Sequence, residues 1–150
     1  MRILLAKGAV CTLLGIVASA SAWAGNVSQK TSTVPKITSV SKITTAEHQT
    51  ITIKGTGFGT YHAYKGNSRY IQLRDLSKSP VWEAGYSPDG DTVTLIVEKW
   101  TNTEIELGGF AGKWGTYNFT LSKGNTERVE VWNWQTGAGP AEAKVKVVAP

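Results

Sequence analysis

Hydrophobic and polar residues alternate in short runs along most of the chain beyond residue 36. In one such run Ile51 and Ile53 alternate with threonines, and in another Val93, Leu95 and Val97 alternate with more polar neighbours. A period of two is what a half-buried antiparallel strand requires. The alternating runs lie at residues 50–54, 71–74, 93–98, 104–107, 117–121, 128–131 and 144–147, and Ile37 and Val40 mark a further, first strand with irregular spacing. No window of about 12 residues has helical periodicity, so the pattern predicts an all-β chain.

Turn-forming residues separate many of these runs. The strongest turn signal is Ser-Pro-Asp-Gly-Asp at residues 87–91, where Asp and Gly tolerate the backbone angles of a tight hairpin. A chain of 150 residues is long enough for one domain with a substantial core and short for two. Many short strands with turns between them predict an antiparallel β-sandwich, which we place at residues 34–150.

The first 24 residues are typical of a secretory signal peptide. Arg2 and Lys7 provide a basic start, residues 8–20 are apolar or small, and Ala-Trp-Ala at 22–24 matches a cleavage site. The apolar stretch is shorter than the roughly 20 residues of a membrane span, although an uncleaved anchor is the alternative interpretation. We therefore expect secretion to the periplasm or the extracellular medium, with no membrane span after cleavage. Residues 25–33 are polar and predict a flexible lead-in.

The composition of the chain that would remain after cleavage of the leader argues against several classes of function. Cleavage after Ala24 would leave 126 of the 150 residues, and the single cysteine, Cys11, would be lost with the leader. Disulfides and thiolate chemistry are then excluded. Without Arg2 and Lys7, 14 basic side chains face 11 acidic ones, a net charge of +3. This weak excess argues against nucleic-acid binding.

Four short segments resemble the corresponding segments of IPT/TIG domains. Residues 34–40 read Val-Pro-Lys-Ile-Thr-Ser-Val, and residues 49–59 end in Gly-Thr-Gly-Phe-Gly. Trp100 before a strand and Gly-Thr-Tyr at 115–117 also resemble that family. The resemblance implies an immunoglobulin-like β-sandwich with Trp100 in the core, and it names no ligand, since these domains occur in receptors, transcription factors and secreted bacterial proteins. The glycines would allow a bulged strand end with Phe58 turned inward; a phosphate-binding loop would need a helix to follow, and none is indicated.

The sequence contains no recognisable catalytic constellation. Its two histidines, His48 and His62, lie in predicted loops without a paired carboxylate at useful spacing. Two histidines and no cysteine in the processed chain cannot supply the three or four ligands of a zinc site. Asp89 and Asp91 bracket a glycine, which is typical of a turn, with a calcium site as the alternative. We predict no enzyme, no cofactor and no metal.

The surplus of aromatic residues is the main functional signal. Thirteen Trp, Tyr and Phe residues follow residue 24, more than a core of this size needs. If Val129 and Val131 face inward, then Trp132 and Trp134 face outward and form a ledge about 6–7 Å long. Large exposed aromatic surfaces mark binding sites.

We therefore expect a non-catalytic binding module. Its predicted ligand is a carbohydrate, or else a surface protein, with Trp114 and Tyr117 extending the ledge and Asn133 offering hydrogen bonds. The alternative arrangement is that residues 61–86 cover both indoles as a second small core. The alternative function is a structural or adhesive envelope subunit that makes protein contacts, self-association included.

Overall fold

A computed structural model describes residues 33–60, 70–85 and 93–150, which lie within the compact unit Thr31–Pro150. Every regular element in these ranges is a strand, so the all-β prediction is confirmed. The strands are β1 Lys36–Val40, β2 Ile43–Thr44, β3 His48–Thr56, β4 Ile71–Asp75, β5 Trp82–Ala84, β6 Val93–Trp100, β7 Glu104–Gly112, β8 Thr126–Val131 and β9 Ala141–Val148.

The nine strands form one curled sheet in the order β1-β3-β7-β6-β5-β4-β8-β9-β2. Most neighbours are antiparallel, but β5 pairs with β6 and β9 pairs with β2 in parallel. The sheet is therefore mixed rather than purely antiparallel. The β5–β6 link consists of the single residue pair Ala84–Val93, so it divides the sheet into two halves. The first two strands lie at opposite ends of the order.

The curl packs the apolar faces of both halves into one core, as the alternation in sequence requires. Ile51 and Ile53 of β3 pair with Leu107 and Ile105 of β7, and all four are fully buried. From the other half, Ile71, Leu73, Val129 and Val131 join the same cluster. Each fully buried aliphatic side chain of this size contributes about 1.5–3 kcal/mol.

The Gly-Thr-Gly-Phe-Gly segment closes one end of this core. Phe58 is fully buried and Trp100 is 7% exposed, so both predicted core positions are confirmed. The indole Nε1–H of Trp100 donates to the Phe58 carbonyl at 3.2 Å. A Cβ on Gly55 would lie 2.0 Å from the Lys36 carbonyl oxygen, which explains why the close β1–β3 approach needs glycine there.

The predicted strand at 117–121 is wrong. Residues 113–120 form turns, because Gly115 and Tyr117 have positive φ angles of 81° and 48°, which end strand geometry. The short strands β2 and β5 were not predicted, since two or three residues carry no periodicity. The predicted hairpin turn at 87–91, with Asp89 and Asp91, lies outside the described residues. So do His62, the leader at 1–24 and nearly all of the lead-in.

Candidate functional site

The predicted ledge residues, Trp132 and Trp134, lie in the segment that follows β8. Val129 and Val131 are fully buried, so the inward parity of the strand is confirmed. The strand ends at Val131, and the expectation that one straight strand continues to Trp134 is wrong. Trp132 still extends the ladder, because its N–H donates to the Tyr70 carbonyl at 2.9 Å, but the chain then turns, with the Gly137 N–H bonded to the Asn133 carbonyl at 2.8 Å.

Asn133 holds this turn in place. Its side chain is 5% exposed, and its Oδ1 accepts hydrogen bonds from the N–H groups of Gln135 and Thr136, both at 2.9 Å. Its Nδ2 donates to the Gly57 carbonyl at 2.7 Å. These contacts tie the turn to the end of β3 and give Asn133 a positioning role beneath the surface.

Trp132 and Trp134 are both half-buried. The Trp134 ring packs against Tyr70 with 4.3 Å between ring centroids and a tilt of 52°, and the backbone N–H of Trp134 donates to the Phe58 carbonyl at 3.1 Å. Each indole thus keeps part of its surface in contact with solvent while another part is covered. Tyr70, from the 61–86 region, provides some of that cover. We call Tyr70, Trp132 and Trp134 the aromatic surface.

A row of polar side chains lies beside the aromatic surface, on the outer face of β4 and β8. In register, Gln72 lies opposite Glu130 and Arg74 opposite Arg128. Gln72 Nε2 donates to Glu83 Oε2 at 2.8 Å, Arg74 Nε lies 2.7 Å from Glu83 Oε1, and Arg128 Nε lies 3.3 Å from Glu130 Oε1. Burial raises the pKa of Glu130 above its ordinary value, against the opposing charges of Arg128 and Arg74.

Sequence reasoning did not single out Tyr70 within the 61–86 region, or Gln72, as neighbours of the tryptophans. A signal was present, because residues 70, 72 and 74 share the outward parity of their strand, as do 128, 130 and 132. The sequence does not show that β4 pairs with β8. This pairing places the outward-facing residues of the two strands side by side.

Trp114 and Tyr117 lie at the opposite end of β8. Trp114 stacks on Phe110 at 4.3 Å and meets the edge of Trp82 at 6.1 Å, and Trp82 pairs with Asp75 at the far end of β4. The length of β8, Thr126–Val131, separates the two ends by about 17 Å. Trp114 is half-buried and Tyr117 is 94% exposed, but neither extends the aromatic surface.

Two carboxyl groups face each other in the interior at that far end. Asp75 and Glu127 are cross-strand partners, and both are fully buried. Burial, and next the charge of Asp75, raise the pKa of Glu127 to about 8, with Lys78 opposing. Asp75 Oδ1 accepts the N–H of Ser77 at 2.9 Å, and Asp75 Oδ2 accepts from Asn125 Nδ2.

The described residues contain no group of three His, Cys, Asp or Glu side chains placed to hold a metal ion. His48 is exposed at the start of β3. Within the same ranges no helix is long and apolar enough to cross a membrane. No protein-family model, no characterised protein and no solved structure matches the chain. The residues and their geometry therefore carry the functional argument.

Proposed function

We propose that this chain is an exported, non-catalytic module of the immunoglobulin-like IPT/TIG type that binds carbohydrate through the aromatic surface. The observation that carries the proposal is the partial exposure of Trp132 and Trp134, two residues apart in sequence, with Trp134 packed on Tyr70. The leader-like residues 1–24 support export.

The strand order supports an immunoglobulin-like arrangement. If β2 and β5 are set aside, the remaining strands follow the chain as the seven strands A to G of that fold. One half of the sheet, β1-β3-β7-β6, then has the order A-B-E-D, and the other half, β4-β8-β9, has the order C-F-G. The single residue pair between β5 and β6 fits two sheets that touch at one corner.

The chemistry of the aromatic surface suits a sugar. Pyranose rings have apolar C–H faces that stack on indole and phenol rings, while their hydroxyls need donors and acceptors nearby. The neighbouring row offers donors from the partly exposed guanidinium groups of Arg74 and Arg128, whereas Gln72 and Glu130 are buried beneath them. The Asn133 hydrogen bonds hold the turn before any ligand arrives, which reduces the entropy lost on binding.

Affinity electrophoresis through gels containing soluble polysaccharides, with pull-down on insoluble ones, tests this proposal. We expect retention of the parent protein by at least one polysaccharide, and a loss of about tenfold or more in affinity for the Trp132→Ala, Trp134→Ala double variant. Tyr117→Ser, at the opposite end, is the matched control and keeps full retention. Near-ultraviolet circular dichroism verifies that the double variant is folded. A parent that no polysaccharide retains, or a folded double variant retained as strongly as the parent, overturns the proposal.

A further inference from the structure

The loop at residues 113–120 is a firmly built tip at the far end of the sheet. Within it, Gly115 N–H donates to the Phe119 carbonyl at 3.0 Å, Phe119 N–H to the Thr116 carbonyl at 3.0 Å, and Thr116 Oγ1 to the Lys113 carbonyl at 2.7 Å. From the neighbouring β4–β5 connection, Lys78 Nζ donates to the Asn118 carbonyl at 2.6 Å. Hydrogen bonds within the loop and one from Lys78 therefore hold the tip in place.

Tyr117 at this tip carries two features that do not stabilise the isolated fold. It is the one non-glycine residue of the described ranges with a positive φ, 48°, a region that disfavours side chains with a Cβ. Its side chain is also 94% exposed. When one large aromatic residue is both strained and exposed, a role in binding is favoured over a role in stability.

Apolar and basic side chains surround this tip. Leu76 and Val81, 36% and 40% exposed, belong to the connection that Lys78 ties to the tip. Trp82, next to Val81, packs against Trp114 and Phe119 at 6.1 and 6.5 Å.

Among the described residues, basic side chains outnumber acidic ones on the solvent-facing part of this end. Lys123 and Lys146 are exposed, whereas Asp75 and Glu127 are fully buried. Glu47, exposed beside Phe110, is the acidic side chain that opposes these lysines here among the described residues. The charge is therefore complementary to an anionic partner.

We propose that this end of the protein docks on an anionic lipid surface, with Tyr117 entering the headgroup region and the lysines contacting lipid phosphates. Tyrosine favours membrane–water interfaces, and lysines near an anionic leaflet add attraction. Tyr117 is 94% exposed and so does not line a pocket, whereas small-molecule sites are concave. The proposal is independent of the carbohydrate site, which lies at the other end.

Vesicle co-sedimentation tests the docking proposal. The protein is recovered after export and its mass determined, then mixed with vesicles of phosphatidylcholine alone or with phosphatidylglycerol. We expect sedimentation with the phosphatidylglycerol vesicles, weakened by salt. Tyr117→Ser, and separately the Lys123→Gln, Lys146→Gln pair, weaken the partition about tenfold, whereas Tyr117→Phe retains it.

Two further variants separate this proposal from stability and from sugar binding. Tyr117→Gly relieves the backbone strain, so it loses vesicle binding without losing resistance to urea. Trp132→Ala leaves vesicle binding unchanged. Absence of sedimentation with anionic vesicles, or equal sedimentation of the parent and Tyr117→Ser, overturns the proposal. Retention by an anionic polysaccharide that depends on Tyr117, without vesicle binding, also overturns it and assigns this end to a glycan instead.

Discussion

Replacing Glu127 by glutamine tests the electrostatics of the interior most directly. Glu127 is fully buried opposite the equally buried Asp75, and neither of its carboxyl oxygens has a hydrogen-bond partner among the described residues. A charged carboxylate in this position is strongly disfavoured. Glutamine has the shape of the protonated acid and carries no charge, so we expect Glu127→Gln to stabilise the fold at neutral pH.

The pKa of Glu127 determines both the sign and the size of the effect. It rises from 4.5 to about 8 on folding, so the unfolded chain releases this proton first. The stability that the protonated form supports is fully present below pH 4.5 and is lost as the pH rises to about 8. Each pH unit in this window costs about 1.4 kcal/mol, so the loss is about 3 kcal/mol at pH 7 and about 5 kcal/mol above pH 8.

Urea unfolding between pH 5 and 9, followed by tryptophan fluorescence, measures this dependence. The parent should lose stability across the window, and Glu127→Gln should remove most of that slope and raise the urea midpoint at pH 7 by about 1–2 M. Glu98→Gln, which neutralises an exposed carboxylate on β6, is the matched control and should keep the parent's slope. A parent with flat stability from pH 5 to 8, or the same slope in Glu127→Gln, would refute the argument.

Three other substitutions test the packing at the Phe58 end by the same unfolding assay. Gly55→Ala should destabilise the fold by about 3 kcal/mol, because its methyl group would collide with the Lys36 carbonyl. Trp100→Phe should cost about 2 kcal/mol through the lost hydrogen bond to the Phe58 carbonyl and the volume left empty. Asn133→Ala should cost about 2–3 kcal/mol, since two backbone N–H groups lose their acceptor, and should make the neighbouring indoles easier to quench with acrylamide. An unchanged urea midpoint in any of these variants would contradict the packing described here.

The alternation of residue types predicts much of this fold from sequence. Ile51 and Ile53 face the core, as do Val129 and Val131, because the two faces of a strand follow from neighbouring residues alone. The inward position of Phe58 was also predictable, since the surrounding glycines permit the turn that places it there. Periodicity does not encode φ, however, and the alternating residues 117–121 therefore resembled a strand, although Tyr117 has φ 48°.

The sequence by itself determined that the chain consists of strands and which apolar side chains of most strands face the core. Only the tertiary structure decided which strands are neighbours. Strand pairing in turn decided which residues come together in each candidate site. The β4–β8 pair brings Tyr70 beside Trp132, and the end of β8 at Val131 turns Trp134 onto Tyr70. Strand pairing depends on contacts between residues far apart in sequence. For the same reason sequence reasoning grouped Trp114 and Tyr117 with aromatic residues that lie at the opposite end of the sheet.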